Sequence, residues 1–130
     1  MIVLDASAAI ELLLNTAAGR RITARLEPAG DLHCPHLIDV EIAQVLRRLA
    51  ENGDISDERA RLALAHWSSL DIDRYPHAPF LDRIWALRQN FSAYDAAYVA
   101  LAEILQAPLI TGDQRLAGSP GTSARIESIS

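Results

Sequence analysis

Residues 2–14 read I-V-L-D-A-S-A-A-I-E-L-L-L. Ile2, Val3 and Leu4 favour an extended strand, and the alanine- and leucine-rich run behind them favours a helix, with Ser7 as its expected cap. A strand that feeds directly into a helix is the repeating step of a parallel α/β protein, so the fold turns on whether the rest of the chain repeats it.

It does. Leu32-His33-Cys34 is a short strand, Pro35 suits a first helical turn, and the helix behind it runs from Leu37 to Ala50 until Asn52-Gly53 stops it. Ser56, followed by Asp57 and Glu58, opens a helix carrying Leu62, Leu64 and Trp67 towards Leu70. Residues 70–75 alternate as a half-buried strand, and Pro76 and Pro79 bracket the entry to a helix over Phe80–Arg88, which Asn90 ends. Then come an almost wholly apolar helix over Phe91–Leu105, a strand over Pro108–Thr111, a loop or single turn over Gly112–Gly118 and a last strand around Arg125–Ile129. The expected fold class is an α/β sandwich around a mainly parallel sheet of about five strands. Ligands of such folds gather at the carboxyl ends of the strands, near the switch in strand order.

At 130 residues with 50% hydrophobic content, the chain suits one domain over 1–130, without repeats or linkers. No apolar run reaches the roughly 20 residues that cross a bilayer, and M-I-V-L-D lacks the basic start of a signal peptide. A cytoplasmic location, without membrane association, is the expectation. Cys34 is the single cysteine, which rules out an intramolecular disulfide scaffold and reads as a small core residue. Net charge is -5, so no basic field advertises a nucleic-acid partner, and all 12 basic residues are arginine. Aromatic residues make up only 5%, which argues against an extended stacking platform, although Trp67 and Trp85 read as core or interface residues.

The acids carry the chemistry. Asp5 ends the first strand, and Asp113 stands two residues beyond the strand Pro108–Thr111, so both project from one sheet edge. Glu41 falls between Leu37 and Val45 inside the apolar stripe of its helix, with Asp39 nearer the margin. Asp95 shares a face with Tyr98, Val99 and Ala102, while Glu103 points away from it towards water. Each has an ordinary reading taken alone: cap, turn residue, marginal glutamate or, for Ser92 and Asp95, a capping box. Together they converge. Two carboxylates about 4 Å apart repel by about 4 kcal/mol at an effective dielectric near 20, and the chain has no lysine to neutralise them. Such a cluster calls for protons or a hard cation, and oxygen ligands favour Mg²⁺ or Mn²⁺ over zinc.

The ordered set I-V-L-D-A-S-A, inward Glu41, S-A-Y-D-A-A-Y-V-A-L-A and L-I-T-G-D-Q-R-L resembles the PIN-domain family, and more closely the VapC toxins of bacterial toxin-antitoxin pairs. The resemblance implies an α/β/α sandwich and a Mg²⁺- or Mn²⁺-dependent endoribonuclease toxin. Its acidic quartet falls on Asp5, Glu41, Asp95 and Asp113 as catalytic and metal-binding residues, with Ser7 and Thr111 as the small polar residues beside them. It further implies an RNA substrate, a cognate VapB-type antitoxin and a homodimer. The chemistry expected is hydrolysis by water activated at the ion, with Arg115 either touching phosphate or lying on the surface.

The rivals are weaker. A Mg²⁺-dependent phosphatase or receiver domain also gathers aspartates at strand ends, but it requires a lysine beside the phosphate. A noncatalytic PIN-like module that binds RNA or a partner would not need its acids intact. His33, Cys34 and His36 suggest zinc, but no second ligand pair follows at the required spacing. His66 and His77 have no motif context.

Overall fold

The computed structural model describes residues 1–28 and 30–129. Its elements in chain order are β1 (Ile2–Leu4), α1 (Ala6–Leu13), α2 (Ala17–Leu26), β2 (Leu32–Pro35), α3 (Ile38–Glu51), α4 (Asp57–Ser69), β3 (Ile72–Tyr75), a 3-10 turn (Ala78–Phe80), α5 (Leu81–Ala86), α6 (Ala93–Leu105), β4 (Leu109–Thr111), α7 (Gln114–Ala117) and β5 (Ile126–Ser128). The strands form one sheet in the order β3-β2-β1-β4-β5, and every neighbouring pair is parallel. The order reverses between β1 and β4. The chain first winds outward through β2 and β3, then returns to the other side of β1.

Ile2, Val3 and Leu4 are 1%, 0% and 0% exposed, and Leu109 and Ile110 are 0%. Strands buried along their whole length are covered on both faces, as a parallel sheet between helical layers must be. α6 packs across β1, β2 and β4 with α5 beside it, while α1 lies against β4 and gathers α2, α3 and α4. Seven consecutive residues of α6, Ala96 to Ala102, are buried. Its alanines explain the apolar sequence: small side chains let this helix sit close on the sheet.

The structure departs from the sequence reading in several places. α1 begins at Ala6 with Asp5 as its cap, not Ser7, because the Asp5 carboxylate accepts the Ala8 N–H at 3.0 Å. α2 was not foreseen. It is opened by Thr16, whose hydroxyl accepts the Gly19 N–H at 3.0 Å. Pro35 closes β2 instead of opening a helix, and the segment expected as a helix over Phe80–Arg88 resolves into the 3-10 turn and the shorter α5. Leu62, Leu64 and Trp85 are exposed, while Trp67 is buried in the core. Glu103 does not face free water; it takes a two-pronged ion pair from Arg83 and a hydrogen bond from Thr122. Among the described residues no helix is long and apolar enough to cross a membrane.

Candidate functional site

The carboxyl ends of β1 and β4 lie side by side because the two strands pair, Leu4 opposite Ile110. Asp5 follows Leu4, and its two carboxylate oxygens are held separately. Oδ1 accepts the Ser7 hydroxyl at 2.7 Å and the Ala8 N–H at 3.0 Å, while Oδ2 accepts the hydroxyl of buried Thr111 at 2.5 Å. Thr111 also accepts the Asp113 N–H at 3.0 Å, and Ser7 accepts the Gly112 N–H at 2.8 Å. The turn after β4 is thereby fastened to the turn after β1. Gly112 permits this approach, since a Cβ there would stand 3.2 Å from Ser7 Oγ.

Two helices bring the other acids. Glu41, in the first turn of α3, accepts the Tyr98 hydroxyl at 2.5 Å, a bond that ties α3 to α6 and leaves the second glutamate oxygen for another partner. Asp95 lies in the first turn of α6, where the Ser92 hydroxyl accepts its backbone N–H at 3.1 Å. The Ser92 hydroxyl also bonds the Asp95 carboxylate, so the cap engages both the main chain and the side chain of Asp95. Asp5, Glu41, Asp95 and Asp113 all line one cavity of about 400 Å³, with Ser7 on its wall and Thr111 behind Asp5.

Sequence reasoning missed three residues of that wall: Glu11, Arg48 and the functional part of Tyr98. Their spacing carried the signal. Glu11 is four residues after Ser7, Arg48 seven after Glu41 and Tyr98 three after Asp95, each a same-face helical interval. The Glu11 carboxylate is engaged by the Thr16 hydroxyl.

The field in the cavity favours protons or a cation. Burial pushes the Asp5 carboxyl above its ordinary value despite three hydrogen bonds, and it pushes Glu41 up against the opposing bond from Tyr98. Asp95 is raised by burial, with the Asp113 charge adding to it. Asp113 moves the other way, because the Arg115 guanidinium stabilises its charge, ion-paired at 3.3 Å. Tyr98 is driven far above the phenol range by burial and by Glu41, so it stays a donor. An all-carboxylate donor set, three of its four acids raised in pKa by burial, with no lysine in the chain, fits a hard divalent cation.

Several polar groups outside this cavity are already committed to protein partners. Asp39 is occupied: Arg74 donates to both its oxygens at 2.9 and 3.0 Å and the Trp67 indole at 2.7 Å, which separates it from Glu41. Cys34 is buried and bonded to the Leu4 carbonyl, and among the described residues it belongs to no group of metal-ligating side chains. Asp31, His33 and Asp73 bring ligand atoms within 4.8 Å of one another at the amino half of β2 and β3, away from the acids above. Both ring nitrogens of His33 are already partnered, by Tyr75 at 2.7 Å and Asp31 at 2.5 Å. A larger cavity of about 620 Å³ beside Met1 and Gln106 holds arginines, Arg25 and Arg125, that share Glu127.

The PIN domain profile matches residues 2–118. A VapC ribonuclease of Mycobacterium bovis, Mb0985, is 50% identical over 116 residues, covering 89% of this chain and 88% of that protein. Ribonuclease VapC12 of Mycobacterium tuberculosis is 45% identical over 127 residues, covering 98% of each chain. The crystal structure of VapBC2 from Rickettsia felis, bound to a DNA fragment of its promoter, superposes with a TM-score of 0.71 at 13% identity, covering 98% of both chains.

Proposed function

The chain belongs to the PIN-domain family and is a VapC-type ribonuclease toxin, and on that premise we propose that Asp5, Glu41, Asp95 and Asp113 form its catalytic centre and hold Mg²⁺ or Mn²⁺. One observation carries this reading: four acids from two strand ends and two helix starts open onto a single cavity at the switch in strand order. Such a cavity repels a phosphodiester unless positive charge intervenes.

Asp5, Glu41, Asp95 and Asp113 would hold the divalent ion, which would supply that charge and lower the pKa of water for in-line attack on phosphorus. The protein's own part is orientation. Ser7, Thr111 and the Ala8 N–H lock the Asp5 carboxylate, so its geometry is set before substrate arrives. Asp95 is aimed by a rigid, buried helix. Glu41, steadied by Tyr98 and raised in pKa by burial, suits the role of receiving the proton of the attacking water at its open oxygen. Asp113, kept ionised by Arg115, contributes fixed negative charge at the cavity mouth.

RNA is the substrate in this reading. A VapB-type antitoxin and a second copy of the chain are the proposed protein partners, and a basic antitoxin segment is the natural complement of the acidic cavity. Residues 1–130 act as one nuclease domain in the cytoplasm. The test is cleavage of total bacterial RNA by the purified protein with its 5′ ends mapped. Mg²⁺ or Mn²⁺ should support cutting, and excess EDTA should stop it. Undiminished cutting in EDTA would overturn the metal-dependent mechanism.

A further inference from the structure

Beyond the acids, the cavity continues. A second groove of about 340 Å³ shares Ala6, Glu41, Val45 and Arg48 with it and runs on to Gln44, Val40 and Tyr94. Arg48 therefore stands at the junction. Among the described residues no hydrogen bond or ion pair engages its guanidinium, whereas Arg115 is spent on Asp113. Beyond Arg48, Val40 and Tyr94 are 73% and 67% exposed, unusual for residues of their size and polarity on a wall next to a reaction centre.

We propose that this groove is a nucleotide subsite, in which Arg48 binds the phosphate next to the scissile one and Tyr94 stacks on the adjoining base. The proposal rests on the ribonuclease reading and gives it a substrate path. A strand whose scissile phosphate lies over four acids must continue past them, and its next phosphate needs a cation that no carboxylate has neutralised. Arg48 meets that need, with a guanidinium fork suited to phosphate oxygens. A flat ring on the exposed first turn of α6 offers sequence-tolerant stacking, and the groove is large enough for a nucleotide-sized ligand.

The test is fluorescence anisotropy of labelled, mixed-sequence, single-stranded RNA across a salt series, with calcium replacing magnesium. Arg48→Ala should weaken binding about tenfold and reduce the slope of log affinity against log salt by about 0.7, while Arg48→Lys retains the slope. Tyr94→Ala should weaken binding about tenfold at unchanged slope, and Tyr94→Trp should restore it. Wild-type melting temperatures in these variants would confirm intact folding. The subsite is overturned if both alanine variants bind as the parent does, if Arg48→Ala leaves the slope unchanged, or if Tyr94→Ala instead alters the mass of the free protein in sedimentation. Losses of binding in a protein that fails to cut RNA in Mg²⁺ would uphold the subsite and sink the hydrolase reading. Cutting with a KM indifferent to both residues would do the reverse.

Discussion

Asp95 has two tasks available to it: its backbone and carboxylate both meet Ser92 at the helix cap, and its side chain also lines the cavity. The backbone half of the Ser92 cap does not depend on the carboxylate, and an asparagine oxygen can still accept the Ser92 hydroxyl, so exchanging the carboxylate for an amide leaves the cap in place. Asp95→Asn should lower RNA cleavage by about a hundredfold or more. It should not lower stability in EDTA. Because burial raises the Asp95 pKa above 3.8, its charged form opposes folding at neutral pH. The variant should therefore melt at or above the parent at pH 7, with the gain fading as pH falls towards 3.8 and absent below it. A cap-only role for Asp95 predicts the opposite pair of results. Cys34 gives a second residue-level check. Burial pushes its thiol up to about 12, and its sulfur is bonded to the Leu4 carbonyl. A disulfide-exchange reagent at pH 8 should react with the unfolded chain and hardly at all with the native protein, with kinetics set by opening of the core.

At the scale of elements, α2 depends on one glycine. A Cβ on Gly19 would meet the Glu11 carbonyl oxygen at 1.9 Å, and that oxygen is backbone of α1, which cannot step aside. Gly19→Ala gains about 0.5–1 kcal/mol of helix propensity, but the clash loses about 1–3 kcal/mol or more, so the net change in urea denaturation should be destabilising. Since α1 also carries Ser7 and Glu11 on the cavity wall, activity should fall with it. The α5–α6 contact is read through pH. Arg83 holds the Glu103 carboxyl below its ordinary 4.5, and the Glu103 side chain is only 11% exposed. A depressed carboxylate pKa contributes stability above the unfolded value and loses it as pH falls through the folded one. The stability difference between the parent and Glu103→Gln should be full near neutrality and vanish in the window just below pH 4.5, as measured by denaturation at stepped pH. Helix caps at Thr16 and Ser56 are sequence-local signals, yet α2 escaped the sequence reading because Arg20, Arg21 and Arg25 blur its short apolar face.

For the whole molecule, the acidic cavity sets apparent stability. An ion bound by the native state alone stabilises it by about 2.7 kcal/mol at a hundred times its dissociation constant. Saturating Mg²⁺ should raise the melting temperature by several degrees over EDTA, and Asp95→Asn should abolish that rise. The strand-helix alternation, the parallel sheet, the caps at Ser56 and Ser92 and the four acids were legible in the sequence, because periodicity and propensity are local and each acid sits where an element begins or ends. The cap at Asp5 was not, since Ser7 satisfies the same local preference; only the nearby β4 turn, which takes up the Ser7 hydroxyl, distinguishes them. The stripe of α3 already favoured Glu41 over Asp39, but the partners that hold the two acids apart were not legible. Arg74 and Trp67, 35 and 28 positions away along the chain, claim Asp39, whereas Tyr98, 57 away, steadies Glu41. The sequence by itself thus determined most of the elements, though not α2, and the acidic character of the cavity. Tertiary structure alone decided what holds each acid in place, which residue caps α1 and which arginine side chain on the cavity wall stays unpaired among the described residues, because those outcomes depend on hydrogen-bond partners that chain spacing does not encode.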